Sequence, residues 1–283
     1  MAKYVRVHSV DQALECLAER PFRIIAGGTD VYPALGEAVI GDDILDISGL
    51  RDLRGIRCDN GPAGDSWRIG ALTTWTDVLR ADLPPWFDGL KLAAREVGSV
   101  QIQNAGTVAG NICNASPAAD GTAALLALDA RVEISGPAGL RVQPLADFVT
   151  GVRRTTLVPG ELVTAIIVPD GGGDGASDFL KLGARHYLVI SIAMVSVVLR
   201  RRDGVITGAG IAVGSCSPVA RRLDGLERRL TGRPPQGLAA LVEEADAAPL
   251  SPIDDVRATA AYRREAALTL VRRALSRCEE ALR

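Results

Sequence analysis

Hydrophobic positions near the start of the chain change from the period of a strand to that of a helix and back. Tyr4 to Val7 is typical of a strand, and Ser9 with Gln12 predicts a capped helix start. A second strand, Phe22 to Ala26, runs directly into a Gly-Gly pair. The helix expected from Val31 onward would begin with unpaired N–H groups. The pattern therefore predicts a strand, turn and helix arrangement that favours an anion.

The rest of the chain continues this mixture without strict alternation. The further strands that the pattern predicts are Asp43–Asp46, Gly55–Cys58, Trp67–Gly70, Arg131–Ile134, Leu140–Pro144, Glu161–Val168, Phe179–Leu182, Val189–Arg200 and Val205–Val213. The further helices are Thr76–Leu83, Pro85–Glu96, Asp120–Asp129, Val219–Thr231, Gly237–Ala247 and Ala258–Leu282. This order of elements predicts the α+β class.

The chain is long enough for more than one packed unit, since it has 283 residues of which 47% are hydrophobic. Residues 169–175 are rich in glycine and carry no large apolar side chain, so they are expected to form a linker or a flexible loop. We predict a domain over 1–174, with subdomains of about 1–58 and 59–174, and a second domain over 175–283.

Charge and composition restrict the partners. With 32 basic and 34 acidic residues the formal net charge is −2, which gives no broad basic surface for nucleic acid. The longest apolar run, Tyr187–Leu199, is shorter than the ~20 residues of a membrane span and predicts a buried strand. The five cysteines and two histidines show no metal-site spacing, so we expect no bound metal. The dispersed cysteines favour a reducing environment, so we expect a cytoplasmic location.

Two glycine-bearing segments, residues 25–30 and 107–117, carry the most specific chemistry. Glycine lets successive backbone N–H groups converge on one point, so the two segments together could hold a diphosphate. The alternative is that the first Gly-Gly pair forms only a turn. The second segment is more specific because it adds hydroxyl and amide side chains, at Thr107, Asn111, Asn114 and Ser116. No G-x-G-x-x-G or P-loop signature is present, which disfavours a Rossmann fold.

Two charged residues allow a structural and a functional interpretation. Asp120 begins a predicted helix and is either an N-cap or an acceptor for a ligand hydroxyl. Lys181 lies on a predicted strand and either faces solvent or contacts a ligand. Neither His8 nor His186 has an acid or nucleophile at a suggestive spacing. We therefore predict no catalytic residues of the chain's own, and expect its chemistry to come from a bound group.

These residues resemble those of a known family. Residues 26–30 and 106–120 are similar to the FAD-binding medium subunit of the molybdenum hydroxylases, the family of carbon monoxide dehydrogenase, xanthine dehydrogenase and aldehyde oxidoreductase. Residues 179–185 and 190–193 resemble the start of that family's carboxyl-terminal domain, and residues 251–257 and 262–264 resemble its last helix. The resemblance covers nearly the whole chain.

The resemblance implies a vanillyl-alcohol-oxidase-type FAD-binding fold of two subdomains, followed by a smaller α+β domain like the carbon monoxide dehydrogenase flavoprotein carboxyl-terminal domain. FAD would lie between these units. The residues implied to grip its pyrophosphate are Ile24, Ile25, Ala26, Gly27, Gly28, Thr29, Asp30, Val31, Thr107, Val108, Ala109, Gly110 and Asn111. Asp120 would accept a hydrogen bond from a cofactor hydroxyl. Val163, Lys181 and Ile190 would surround the flavin ring, and Lys181 would tune the reduction potential of the flavin.

One position departs from the family pattern, because Ala109 stands where many members have a glycine. A positive φ would cost alanine on the order of 1 kcal/mol, so we expect Ala109 to adopt an ordinary φ and still present its N–H.

The resemblance also implies partners and a function. A large subunit would carry molybdopterin and a small subunit [2Fe-2S] clusters, in a dimer of heterotrimers. Electrons would leave through FAD to an external acceptor such as NAD, oxygen, a quinone or a ferredoxin. Two alternatives stay open. One is a self-sufficient flavoenzyme of the same fold, and the other is a noncatalytic nucleotide-binding scaffold.

Overall fold

The computed structural model describes residues 2–36, 38, 40–61 and 64–283. Its first unit contains three short parallel strands in the order β1, β3, β2, with one helix on each strand connection. The elements are β1 (Tyr4–Arg6), α1 (Val10–Glu19), β2 (Arg23–Ile25), α2 (Val31–Leu35) and β3 (Ile44–Asp46). Helix α1 begins as predicted, because the Ser9 hydroxyl accepts the Gln12 N–H at 3.2 Å.

The second unit contains an antiparallel sheet and a group of short helices. Its strands are β4 (Ile56–Gly61), β5 (Gly64–Gly70), β6 (Arg131–Gly136), β7 (Gly139–Pro144) and β10 (Leu162–Pro169), and β8 (Val149–Gly151) pairs with β9 (Arg154–Thr155) apart from them. Its helices are α3 (Trp75–Arg80), α4 (Asp88–Glu96), α5 (Val100–Ala105), α6 (Val108–Cys113), α7 (Asp120–Ala127) and α8 (Leu145–Phe148). The sheet order is β4, β5, β10, β6, β7, so β10 is central.

The third unit is a four-stranded antiparallel sheet with a long helix. It contains β11 (Asp174–Leu182), β12 (Ala193–Arg202), β13 (Val205–Gly214), β14 (Arg221–Arg222), α9 (Asp224–Leu230) and α10 (Ala260–Ala281). Helix α10 packs on β11 and β12, while α7 packs on β12 and β13 and α4 packs on β11. The third unit therefore lies directly against α4, which ends at Glu96, and α7, which begins at Asp120.

The side chains of β11 alternate between two hydrophobic cores. Ala176, Leu180 and Leu182 pack into the core beneath α10. Phe179 packs into the core of the first two units instead. Because side chains two residues apart share a face of a strand, Lys181 follows Phe179 toward α4 and α7. The register of this one strand thus directs a lysine at the first two units.

Residues 169–175, the predicted linker or loop, form a short packed connection. Only Asp170–Gly173 separate β10 from β11, and Gly172 and Gly173 turn the chain with φ of 61° and 77°. Asp170 accepts the Gly172 N–H at 2.9 Å and the indole N–H of Trp67 at 3.4 Å. Gly172 and Gly173 therefore form a tight turn and not a long flexible linker.

The α+β class is confirmed, but three predicted elements near the carboxyl-terminal unit are wrong in extent. The run Val189–Arg200 becomes a strand only from Ala193, after an irregular loop over residues 183–192. Of Val219–Thr231, only the end is helical, because Arg221 and Arg222 pair with β13. In each case a tertiary contact decides the local conformation against its propensity.

The third difference concerns the predicted helix Gly237–Ala247, which is two 3₁₀ turns, Leu238–Leu241 and Glu244–Ala247. The carboxylate of Glu279 on α10 accepts the N–H groups of Gly237 and Ala239, each at 3.1 Å. Gly237 also has a φ of 72°. Gly237 precedes the first turn in a left-handed conformation, so the predicted helix cannot begin at this residue.

Candidate functional site

A cavity of about 690 Å³ lies where the three units meet. The end of β2, helices α5 to α7, residues 157–163 and the end of β11 supply its walls. Its volume lies within the range of roughly 300–1,000 Å³ that small-molecule and cofactor sites occupy. Most of the wall is apolar, with a few polar groups at the glycine segments and at Asp120 and Lys181.

The first glycine segment follows β2 and leaves a row of backbone donors unused. Gly28 adopts a φ of 68°, a conformation that favours glycine. Within the described part of the chain, the N–H groups of Gly27, Gly28 and Thr29 have no backbone acceptor. Converging free N–H groups without a nearby side-chain cation are suited to the oxygens of a phosphate.

The second glycine segment is the start of a helix rather than a loop. Thr107 is the N-cap of α6, and its hydroxyl accepts the Gly110 N–H at 3.1 Å. The Val108 N–H is occupied by the Thr73 carbonyl at 2.9 Å, so it is unavailable to a ligand. Ala109 is helical and has no positive φ, as expected. Sequence reasoning saw the glycines and missed the threonine cap, although Thr before a helix is a recognised start signal.

The two segments are in contact through Ala105 and Gly106, the residues that immediately precede the second segment. A Cβ placed on Gly27 would overlap the carbonyl oxygen of Ala105, and one placed on Gly106 would lie 3.3 Å from Oγ1 of Thr29. Only glycine allows this approach of two backbones. Both segments therefore line one cavity, and their joint binding of a diphosphate stays a prediction.

Asn111 carries an unused acceptor at the cavity. Its Oδ1 is buried and has no hydrogen-bond partner among the residues that the structure describes. A buried polar atom without a partner costs free energy, on the order of 1–3 kcal/mol. The free backbone donors, the glycine cradle and this orphaned side chain all fit a ligand with phosphate and hydroxyl groups, as FAD has.

Asp120 and Lys181 form an ion pair in the cavity wall. Nζ of Lys181 lies 2.9 Å from Oδ2 of Asp120, and the two side chains are only 6% and 9% exposed. Asp120 is the first residue of α7, and the N-cap is Ala119. The interpretations of Asp120 as an N-cap and of Lys181 as a solvent-facing lysine are therefore both wrong. The alternation of β11 explains why Lys181 points inward.

Burial sets the protonation of Asp120. Loss of hydration raises the pKa of its carboxyl to about 6, while the charge of Lys181 and hydrogen bonds from Lys181 and Ser191 oppose the shift. The charge of Glu96 raises this pKa slightly further. Asp120 is thus poised to change its charge only a little below neutral pH.

The residues predicted for the site come together with two exceptions. Ile25 and Val108 are buried in the protein core, and their side chains lie outside the cavity lining. All the other predicted residues line the cavity: Ile24, Ala26, Gly27, Gly28, Thr29, Asp30, Val31, Thr107, Ala109, Gly110, Asn111, Asp120, Val163, Lys181 and Ile190. Contact of each residue with FAD remains a prediction.

Several lining residues carried no signal in the sequence. Phe22, Trp75, Glu96 and Leu157 line the cavity without belonging to either glycine segment, and Cys113 lies in the second segment but was not predicted as a site residue. Burial raises the pKa of the Cys113 thiol to about 12, so this cysteine is a neutral wall residue. The sequence does contain a signal for the start of α3, because Thr74 and Asp77 form a capping box. This signal would have placed Trp75 in the first turn of that helix.

Comparison with known proteins gives two family matches. Residues 1–171 match the FAD binding domain in molybdopterin dehydrogenase, and residues 178–278 match the CO dehydrogenase flavoprotein C-terminal domain. Together the two models extend over most of the chain and include the whole cavity lining.

Individual relatives agree with these matches. The chain is 34% identical to the nicotinate dehydrogenase FAD-subunit of Eubacterium barkeri, over 76% of this chain and 73% of that protein. It is 31% identical to the glyceraldehyde dehydrogenase medium chain of Sulfolobus acidocaldarius, over 96% of each. A solved carbon monoxide dehydrogenase from Hydrogenophaga pseudoflava superimposes with a TM-score of 0.85 at 27% identity, covering 98% of this chain and 96% of that one.

None of the helices in the described residues combines the length and apolar character required to traverse a bilayer.

Proposed function

This chain belongs to the FAD-binding subunits of the molybdenum hydroxylases, and on that premise we propose that it is the electron-exit subunit of such a complex. It is an oxidoreductase subunit whose cofactor is FAD. Electrons would arrive from [2Fe-2S] clusters on a small partner subunit and leave to an external acceptor. Hydroxylation itself would occur at molybdopterin on a large partner subunit, in a dimer of heterotrimers.

The observation that carries the proposal is the contact between the two glycine segments beside the buried Asp120–Lys181 pair. The close approach of Gly27 to Ala105 and Gly106 places the free N–H groups of residues 27–29 beside the start of α6. The segments supply neutral donors for a diphosphate, and Asp120 supplies an acceptor for a hydroxyl. Among the described residues that line the cavity, no nucleophilic side chain is paired with a general base. The site is therefore suited to holding a redox cofactor rather than to transforming a substrate.

When bound, FAD accepts electrons and passes them on, and the protein's part is to bind, orient and shield it. The Lys181 ammonium, held at Asp120, places a positive charge in the wall where negative charge is to be stabilised. The apolar lining, which includes Trp75 and Leu157, keeps water from the buried end.

The test is electron flow in the native complex with and without its flavin. The complex is purified through this chain and its subunits are identified. It is then reduced with a limiting amount of dithionite, and reoxidation of the clusters by NAD or by oxygen is followed by absorbance. A Gly27→Ala complex that lacks FAD should still be reduced but should be reoxidised at least tenfold more slowly. Equal reoxidation rates with and without FAD would refute an exit role.

The alternative of a self-sufficient flavoenzyme is decided by the same preparation. The isolated, FAD-loaded chain is incubated with aldehydes and N-heterocycles, and flavin bleaching is recorded. Steady turnover of one of these donors by the isolated chain would favour the alternative. Copurification of partner subunits with a chain that never binds flavin would favour the scaffold.

A further inference from the structure

Ser191 lies in the loop of residues 183–192 and behaves unlike its neighbours. Leu188 and Ile190 are 50% and 55% exposed, whereas Ser191 is only 2% exposed. Its hydroxyl donates a hydrogen bond to Oδ1 of Asp120 at 3.2 Å. A buried hydroxyl that points into a cofactor wall from an otherwise exposed loop is a candidate for a role in that wall.

The frame around Ser191 is fixed on both sides. The Ile192 N–H donates to the Leu182 carbonyl at 2.7 Å, which ties the end of the loop to β11. The Ile192 carbonyl accepts from the Arg263 guanidinium at 2.6 Å, and the same guanidinium donates to Asp255 at 2.6 Å. Arg263 is only 3% exposed. The position of the Ser191 hydroxyl is therefore set by the carboxyl-terminal unit before any ligand binds.

Asp120 is held at both carboxylate oxygens by that same unit. Lys181 donates to Oδ2 and Ser191 donates to Oδ1. Each carboxylate oxygen has two acceptor positions, so one remains free on each oxygen. Two donors from different directions fix the plane of the carboxylate, and the remaining acceptor positions serve the cavity that Asp120 lines.

We propose that Ser191 is a positioning residue of the FAD site, which orients the Asp120 carboxylate for a cofactor hydroxyl. The inference rests on the proposed function only in taking this cavity as the place of FAD. Ser191 acts through Asp120 and is not itself required to touch the cofactor.

A merely structural serine would not change the pH dependence of binding, and this separates the two possibilities. The charged groups that act on Asp120 are Lys181 from β11 and Glu96 from the end of α4. The hydrogen bond from Ser191 lowers the Asp120 pKa, so its removal lets that pKa rise. FAD binding by a Ser191→Ala chain should then weaken on acidification at a higher pH than in the wild type.

The experiment titrates FAD into the apo chain between pH 5 and 8, with flavin fluorescence as the signal. Ser191→Ala is expected to bind FAD roughly tenfold more weakly at pH 7, the effect of losing a hydrogen bond to a charged group. Its acid midpoint should shift upward, because the hydrogen bond that lowers the Asp120 pKa is lost. Ser191→Thr, which keeps the hydroxyl, should restore both values.

The matched control is Ser196→Ala, another buried serine, whose hydroxyl faces the Asp178 carbonyl on β11 at 3.5 Å. It should leave the affinity and the midpoint unchanged. Should Ser191→Ala not fold, Ser191→Cys replaces it, since a thiol has nearly the same shape and donates poorly. An unchanged midpoint in a folded Ser191 variant, or an equal loss in Ser196→Ala, would overturn the proposal. Failure of the wild type to bind FAD would instead refute the assignment of the cavity.

Discussion

Lys181 Nζ and Asp120 Oδ2 lie 2.9 Å apart although 61 residues separate them in the chain. The pair joins the first strand of the carboxyl-terminal sheet to the first turn of α7. Both residues line the cavity, and both side chains are less than a tenth exposed. The ion pair thus connects two units at the place where they enclose the proposed FAD site, and its strength can be measured.

The losses of stability on removing Lys181 and Asp120 should not be additive. Lys181→Met leaves a buried carboxylate without its cation, and breaking a buried pair costs roughly 3–5 kcal/mol. Asp120→Asn leaves the ammonium unpaired and should also destabilise the chain. The double variant should be more stable than the sum of the two losses predicts, by at least about 1 kcal/mol. Urea unfolding of the four apo proteins measures this coupling, and strict additivity would show that the pair contributes nothing.

The same lysine should influence the bound cofactor. A cation beside FAD stabilises the negative charge gained on reduction, so Lys181→Met should make the midpoint potential more negative. Each 1.4 kcal/mol of lost stabilisation corresponds to about 30 mV for a two-electron couple. A dye-linked titration of the FAD-loaded chain measures the shift. Lys91→Met, which removes a lysine of α4 that lies outside the cavity lining, is the control and should leave the potential unchanged. A shift of the same size in both variants would contradict the assigned position of Lys181.

The contact between the two glycine segments predicts a sharp effect at Gly27. A Cβ at Gly27 meets the Ala105 backbone, which cannot move aside as a flexible side chain would. Gly27→Ala should therefore separate the segments and reduce FAD affinity at least a hundredfold.

Gly225→Ala is the matched control, since a Cβ there meets nothing closer than 3.9 Å and Gly225 lies in α9. The control should bind FAD normally and gain roughly 0.5–1 kcal/mol of stability. Equal FAD affinity in both variants, measured by fluorescence quenching, would show that the close approach is unimportant.

The sequence allowed much of this site to be predicted, because its parts have local signals. Glycine pairs after a strand, and alternation along β11, are visible within a few residues of Gly28 and Lys181. The pairing of Lys181 with Asp120 has no local signal, since it depends on how α7 packs against the third sheet. Ser191 was hidden for a different reason. A single serine within an apolar run is typical of a buried strand, and only the tertiary anchors of the loop show otherwise.

The pH dependence of stability follows from Asp120. Burial raises the pKa of its carboxyl to about 6 in the folded chain, from an ordinary value of 3.8. The folded state therefore binds a proton that the unfolded state releases between these pH values. This contribution to stability is fully present below about pH 4 and is lost as the pH rises through about 6. Asp120→Asn should remove that part of the pH dependence. Unfolding free energies of both apo chains between pH 4 and 7 test this, and parallel curves would contradict it.

Thr107 gives the last prediction, because it links a helix start to the cavity. Its hydroxyl caps α6 by accepting the Gly110 N–H, and the residue itself lines the cavity. Thr107→Ala should cost about 1 kcal/mol of stability through the lost cap. It should also weaken FAD binding, since the frayed first turn no longer holds Ala109 and Gly110 in place. Thr107→Ser keeps the capping oxygen and should restore most of both properties. The comparison with Ser9, which caps α1 by accepting the Gln12 N–H and lies outside the cavity lining, separates the two effects. Ser9→Ala should lose a similar amount of stability while FAD affinity stays at the wild-type value. If both alanine variants weakened FAD binding equally, the loss at Thr107 would reflect general destabilisation, and the proposed role of the α6 start in holding the cofactor would be wrong.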